Sequence, residues 1–239
     1  MILGVIPARG GSKGLPRKNL RLLAGIPLIA HTIRAAQSSE LLGDLVVSTD
    51  DPAIAETARA GGVSVPFLRP AELATDEIAL WPAIRHAVAA WEAAHRARIE
   101  AVVVLQPTSP LRTAEDIDAC IARFHETEAD ICATAVLSHD SPYWNMLEMR
   151  GGPFARPCSP VMQSGTRRQE AAPVYALNGA VYVVRRGVFE TLRNQFDIER
   201  FAIAEMPRAR SVDIDTEDDL EFAECLLARR ERLQPGSRA

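Results

Sequence analysis

The sequence predicts an α/β protein: a three-layer, doubly wound, mostly parallel sheet with a small arm. Three observations carry this. Short apolar runs at 2–6, 45–48, 101–105 and 131–137 read as buried strands. Segments of helical period stand between them, and such alternation builds a parallel sheet covered on both faces, with ligands at the carboxyl ends of its strands. Regularity lapses at 138–169, where Pro142, Pro153, Pro157, Pro160 and Gly151-Gly152 crowd together. The expectation is one domain over 1–239, with an arm of about 138–180 inserted in it.

In chain order, the first strand leads into a loop, and 27–37 reads as a helix with Pro27 suited to its first turn. The strand 45–48 ends in Thr49-Asp50-Asp51, with both acids expected to cap loops. An Ala-rich helix at 52–60 closes on Gly61-Gly62. A strand is expected over 63–68. Ile78, Trp81, Ile84, Val88 and Trp91 step at three and four residues, so they share one buried helical face, and Pro82 must lie in the first turn. After the strand 101–105, Thr113 is placed to N-cap a helix to about His125, with Asp116 completing a capping box. Beyond the arm, 180–184 reads as a strand, 188–194 as a short helix and 200–204 as an edge strand. Thr216 caps a last helix to about Arg230, whose buried face is Leu220, Ala223, Leu226 and Leu227.

Composition narrows the function. The 239 residues are 47% hydrophobic and 24% charged, ordinary for a globular protein. A net charge of −4 argues against nucleic acid or an anionic membrane as partner. No apolar run approaches the ~20 residues of a membrane span, and the N-terminus enters a strand without a signal-peptide pattern. Cys120, Cys132, Cys158 and Cys225 form no C-x-x-C pair, which points to reduced, mostly buried thiols and a cytoplasmic setting. His31, His86, His95 and His125 fall in predicted helices and read as structural or solvent-facing.

Against this background residues 1–39 stand out. They hold Arg9, Lys13, Arg17, Lys18, Arg21 and Arg34 and no acid. Most of that charge lies in the loop Pro7-Ala8-Arg9-Gly10-Gly11-Ser12-Lys13-Gly14-Leu15-Pro16-Arg17-Lys18-Asn19. Glycines let the backbone approach an oxyanion, turned amides form an anion nest, and basic side chains supply countercharge. A bound polyphosphate is the natural reading, although the glycine spacing matches neither the P-loop nor G-x-G-x-x-G. A second pattern is Asp213-Ile214-Asp215-Thr216. In a strand its carboxylates share a face and need a cation between them, which suits Mg²⁺ bound also by phosphate oxygens and water. A third is Arg167-Arg168-Gln169 followed by Tyr175 to Tyr182, where an arginine fork suits a carboxylate. Gln106, ending a central strand, offers a donor and an acceptor to a polyol.

The run P-A-R-G-G-S-K-G-x-P-x-K-N resembles the signature of the CMP-sialic acid synthetases (acylneuraminate cytidylyltransferases), and the likeness extends along most of the chain. The resemblance implies a nucleotide-diphospho-sugar transferase-like fold and transfer of CMP from CTP to the anomeric hydroxyl of a nonulosonic acid. It assigns CTP binding to Ala8, Arg9, Gly10, Ser12, Lys13, Lys18 and Asn19, with Arg69 at the cytosine. It assigns the sugar to Gln106, Arg168, Asn178 and Tyr182, with Arg168 on the carboxylate. Asp213 and Asp215 become the Mg²⁺ (or Mn²⁺) ligands and, with Lys18, the catalytic set. No protein general base is expected, since a metal-activated hydroxyl needs none. The arm's Tyr143, Trp144, Met146, Leu147, Phe154 and Met162 are expected to meet a second copy in a homodimer. The best-known members that use N-acetylneuraminate carry an arm lysine near 142–145. Here no lysine follows Lys18, which favours related bacterial sugars such as legionaminate. The alternatives are activation of another 2-keto sugar acid, such as 3-deoxy-manno-octulosonate, and a non-catalytic nucleotide-binding subunit.

Overall fold

A computed structural model describes residues 1–12, 14–75, 79–159 and 172–233. The chain begins with β1 (Ile2–Pro7), a small β2 (Leu22–Leu23) and β3 (Ile26–Pro27) pair, α1 (Leu28–Gln37), β4 (Asp44–Ser48) and α2 (Pro52–Ala60). Then follow α3 (Leu80–His95), β5 (Ala101–Leu105), α4 (Ala114–Glu126) and β6 (Ile131–Leu137). The arm is a hairpin of β7 (Leu147–Met149) and β8 (Ala155–Pro157). The chain returns through β9 (Tyr175–Arg185), α5 (Arg186–Phe189), β10 (Phe201–Glu205) and α6 (Glu217–Leu233).

Six strands form one sheet in the order β10-β6-β9-β5-β1-β4. β9 runs antiparallel to β5 and β6, and the other pairs are parallel. The period-two alternation of the strands sorts their side chains into two cores. Ile2, Ile6, Val103 and Leu105 face α1, α2 and α4, whereas Leu3, Val5, Val102 and Val104 face α3 and α5. That division is why the strands read as continuous apolar runs: both faces are buried. A third cluster sets Leu220, Ala223 and Leu227 of α6 on Leu15, Leu28, Leu111 and Ile214, with Leu226 partly buried beside them. α6 thereby clamps the basic loop against the aspartate segment.

Local signals are realised where they are self-contained. Thr113 and Asp116 form the capping box of α4, Asp51 caps α2, and Thr216 and Asp219 bond reciprocally at the start of α6. Pro82 lies in the first turn of α3. Four expectations need correction. Residues 63–68 form only a bridge from Ser64 to Val46, and Pro66 has no N–H to donate to a ladder. The helix expected at 188–194 is α5, earlier and shorter. Residues 211–216 are not a strand, since Ile214 N bonds Thr108 O at 2.7 Å with no ladder around it. Among the cysteines, all free, Cys120 and Cys132 are buried but Cys225 is exposed.

Candidate active site

A cleft of about 320 Å³ opens at the carboxyl ends of β1 and β5, as the sheet's topology requires. The basic loop forms one wall. Ala8 N extends the β1–β4 ladder to Ser48 O at 2.9 Å, which leaves Ala8 buried behind the wall. The loop then turns against two acidic segments. Gly10 N donates to Asp50 Oδ1 at 3.0 Å, and a Cβ at Gly10 would lie 2.9 Å from Asp51. A Cβ at Gly14 would lie 2.5 Å from the Asp215 carbonyl oxygen. Only glycine lets the loop lie this close to both. Asn19, buried, donates to Arg9 O at 2.8 Å and closes the loop, and Arg9 reaches Thr75 O at 3.0 Å.

Lys18 joins the loop to the aspartates. Its Nζ donates to Ile214 O at 2.8 Å and to Asp215 Oδ1 at 2.7 Å, and its side chain is only 12% exposed against 73% for Asp215. Asp213 and Asp215 both line the cleft. The Asp213 carboxyl opens into it but is enclosed by protein on its other sides. That enclosure pushes its pKa up, Asp215 pushes it further, and Thr108 and Lys18 pull it back. An enclosed carboxylate short of countercharge beside a second carboxylate suits a hard divalent cation that takes its remaining ligands from phosphate and water. Among the described residues no group of three or more His, Cys, Asp or Glu is placed to hold a metal by itself. The two carboxylates fit a divalent cation such as Mg²⁺ that shares its remaining ligands with a bound phosphate and water.

The floor is Arg69, buried, with Nε on Ser48 Oγ at 3.1 Å and Nη2 on Ser48 O at 2.5 Å. Burial lowers its pKa, and Asp50 offsets part of that. Gly11, Ser12 and Gln106 complete the lining named here. Gln106, Ala79 and Leu80 also border a second chamber of about 320 Å³, lined further by Trp81, Tyr182, Arg193, Asn194 and Gln195. Tyr182 meets Trp81 edge-on at 6.4 Å.

The structure thus gathers Arg9, Ser12, Lys18, Asn19, Arg69, Gln106, Asp213 and Asp215 around one cleft, with Tyr182 in the adjoining chamber. Lys13 and Arg168 lie outside the described residues. Asn178, assigned to the sugar by the resemblance, is buried beneath the site. Its Oδ1 accepts from Thr134 Oγ1 at 2.7 Å and Ala180 N at 3.1 Å, and its Nδ2 donates to Ser211 Oγ at 3.0 Å. It braces the sheet against the segment leading to Asp213. Residues 193–195 escaped the sequence reading because a helix was expected there. Arg85 Nη1 to Leu192 O at 2.9 Å and Trp81 Nε1 to Gln195 Oε1 at 3.3 Å fix this loop, and neither contact leaves a local signal.

Known proteins extend this picture. A family model described as Cytidylyltransferase matches residues 3–226. A Legionella pneumophila protein named CMP-N,N'-diacetyllegionaminic acid synthase is 34% identical, covering 95% of this chain and 96% of that one. "Post-translational flagellin modification protein B" of Campylobacter coli is 31% identical over 96% of each. The N-acylneuraminate cytidylyltransferase of Escherichia coli is 29% identical over 97% of this chain but only 53% of its own length. Among solved structures, a CMP:2-keto-3-deoxy-manno-octonic acid synthetase in complex with CTP superposes with a TM-score of 0.70 at 20% identity, covering 96% of this chain and 99% of the other. That likeness concerns the fold. With the family match spanning nearly the whole sequence, the chain belongs to the cytidylyltransferase family.

Proposed function

We propose that this cytidylyltransferase transfers CMP from CTP to the anomeric hydroxyl of a nonulosonic acid, and that legionaminate-type sugars are its natural class. The observation that carries the reading is the lock between the basic loop and the aspartate segment. Lys18 bonds Asp215, and Gly14 lies against the Asp215 backbone. A triphosphate held by the loop amides is thereby set beside two carboxylates. The second chamber across Gln106 suits the sugar acid, so both reactants meet at Gln106 and the aspartates.

In this reading Gly11, Ser12 and Lys18 orient the triphosphate, Arg69 donates to the O2 and N3 acceptors of cytosine, and Gln106 with Tyr182 holds the sugar. Asp213 and Asp215 would hold Mg²⁺, which when bound polarises the α-phosphate and lowers the pKa of the attacking hydroxyl. The hydroxyl oxygen, giving up its proton to solvent, forms a bond to the α-phosphorus, and the bond to pyrophosphate breaks in line. Such transfer depends mainly on positioning and charge stabilisation. The name of the Legionella relative supports the legionaminate class, as does the absence of lysine beyond Lys18. We place the working unit as a homodimer joined through the arm.

The test is a panel of nonulosonic acids and 3-deoxy-manno-octulosonate with CTP and Mg²⁺, read by pyrophosphate release. Turnover with legionaminate derivatives at the highest kcat/KM is expected. A preference for 3-deoxy-manno-octulosonate would move the enzyme to the other sugar class. No release with any member would remove the catalytic reading.

A further inference from the structure

Arg112 is only 3% exposed. Fully buried arginines are rare unless a carboxylate pairs with them. Among the described residues no carboxylate lies within ion-pair distance of this one, and Asp116 and Asp213 act on it only at longer range. Burial brings its pKa down to about 9, a sign of how poorly the charge is compensated. Its Nε has no hydrogen-bond partner. The other two nitrogens are aimed: Nη1 donates to Thr32 Oγ1 of α1 at 2.8 Å, and Nη2 to the carbonyl oxygen of Gln106.

That second contact matters because 106–109 is the segment on which the site converges. The Gln106 side chain borders both chambers. Thr108 O holds Ile214 N at 2.7 Å, and the Thr108 side chain lies near enough to Asp213 to favour its ionised form. Ser109 Oγ donates to Asn178 O at 3.1 Å. The cleft faces this turn from one side, and Arg112 grips it from behind.

We propose that Arg112 is a positioning residue of the transfer reaction, holding the 106–109 turn so that Gln106 and Asp213 meet their substrates in register. This rests on the reading that those two residues face the sugar and the nucleotide. Stability alone gives little reason for such a group. Replacing an uncompensated buried charge by an apolar side chain of similar length is often neutral or stabilising. Here neither partner would be stranded, since Gln106 O also accepts from Ser109 N at 3.3 Å. The Thr32 hydroxyl lies in α1, where it can turn back to a helix carbonyl. The chain therefore keeps a guanidinium where Met would fold as well.

The experiment compares wild type, Arg112→Met and Arg112→Lys in the full chain. Thermal melting, kinetics with CTP and the panel acids, and hydrogen exchange of peptides spanning 105–112 and 211–216 are measured. For Arg112→Met the expected result is a Tm within a few degrees of wild type, a kcat down by ~10-fold or more, a raised KM for the sugar acid, and a CTP KM within about twofold. These magnitudes follow from the sensitivity of rate to small misplacements. Exchange should rise in both peptides. Arg112→Lys keeps the charge but cannot span both partners, so its kcat should fall between the other two. Wild-type kinetics in a folded Arg112→Met protein would overturn the proposal. So would a loss of activity that follows the loss of folded protein while both KM values stay unchanged. If wild type itself turns over no panel acid, the functional reading fails, and the exchange data still decide. Unchanged protection in both peptides refutes positioning, and selective loosening there supports it.

Discussion

The cleft and the hairpin arm are built on opposite terms. Around the cleft the chain holds several of its polar side chains by its own hydrogen bonds. Asn19 closes the loop on Arg9, Lys18 bonds two atoms of the aspartate segment, and Arg69 is buried on Ser48. In the arm, β7 and β8 pair only over Leu147–Met149 and Ala155–Pro157. Leu147 is 60% exposed, Met149 62% and Phe154 80%. A two-stranded hairpin is marginal alone in water, and a contiguous apolar surface of this kind marks a contact site. Asn145 ties the base of the arm through Ser141 N at 2.7 Å and Asp140 at 2.8 Å, which fixes its root and leaves its tip uncovered. The cleft side chains are therefore tied down by their own chain, whereas among the described residues the tip of the arm is left exposed.

Two variants separate these terms. The larger effect should come from the arm. Leu147→Asp combined with Phe154→Asp removes two apolar side chains, each worth about 2 kcal/mol when buried. In the proposed dimer both protomers would carry both changes, so its dissociation constant should rise by at least about 10³. Sedimentation equilibrium would read it, with circular dichroism unchanged. A mass and affinity like those of wild type would mean that the arm covers nothing. Next comes Asp215→Asn, which removes a hard anionic ligand and the charge partner of Lys18 at almost constant volume. A rate loss of ~10² is expected, the scale seen when one strong electrostatic contact is deleted. Asp215 is largely exposed, so folding should survive. Near-normal turnover in the folded variant would remove Asp215 from the machinery.

What the sequence made legible follows the same division. Capping boxes and buried strands are written in neighbouring residues, so Thr113 with Asp116 and the strand Ile131–Leu137 were readable with their bounds. The basic loop was readable because glycine, proline and like charge coincide within one short stretch. The pattern at 212–215 misled, since V-D-I-D alternates as a strand does. Only the distant Thr108 carbonyl decides otherwise, holding Ile214 in the core while the aspartates face the cleft. Asn178 gives no local sign of its burial. Its burial depends on Thr134 and Ser211, which lie on other parts of the chain. Arg112 carried no signal, as nothing in Pro110-Leu111-Arg112 tells which way the guanidinium points.

A smaller effect tests how far the cleft is specialised for its base. Arg69→Ala removes the buried fork from the floor and leaves Ser48 Oγ to rebond with water. The KM for CTP should rise by about tenfold, on the scale of one hydrogen bond to a charged group. The preference for CTP over UTP should narrow, since N3 of uracil carries a proton. An unmoved KM for CTP would place the base elsewhere.

The smallest effect calibrates both regions, because it concerns an ion pair that serves neither. Glu92 of α3 takes a fork from Arg186 of α5, with Nε and Nη2 each at 3.0 Å, and both side chains are little exposed. The Arg186 hydrogen bonds hold the Glu92 carboxyl below its ordinary value of 4.5, against an opposing contribution from burial. A carboxyl whose pKa is depressed in the folded state binds fewer protons folded than unfolded between the two values. Its contribution to stability is thus present above about pH 4.5 and is lost as pH falls through the folded value. Glu92→Gln keeps an acceptor for Ile99 N but gives up the charge. At neutral pH it should cost about 1 kcal/mol, or about 2–4 °C in Tm for a chain of this size. The gap to wild type should hold above about pH 4.5 and close as the pH falls below it. Turnover with CTP should not change at any of these values where the protein is folded. A gap that stays constant into acid would mean that Glu92 contributes by packing alone. A change in turnover would mean that the contact between α3 and α5 reaches the second chamber through Trp81.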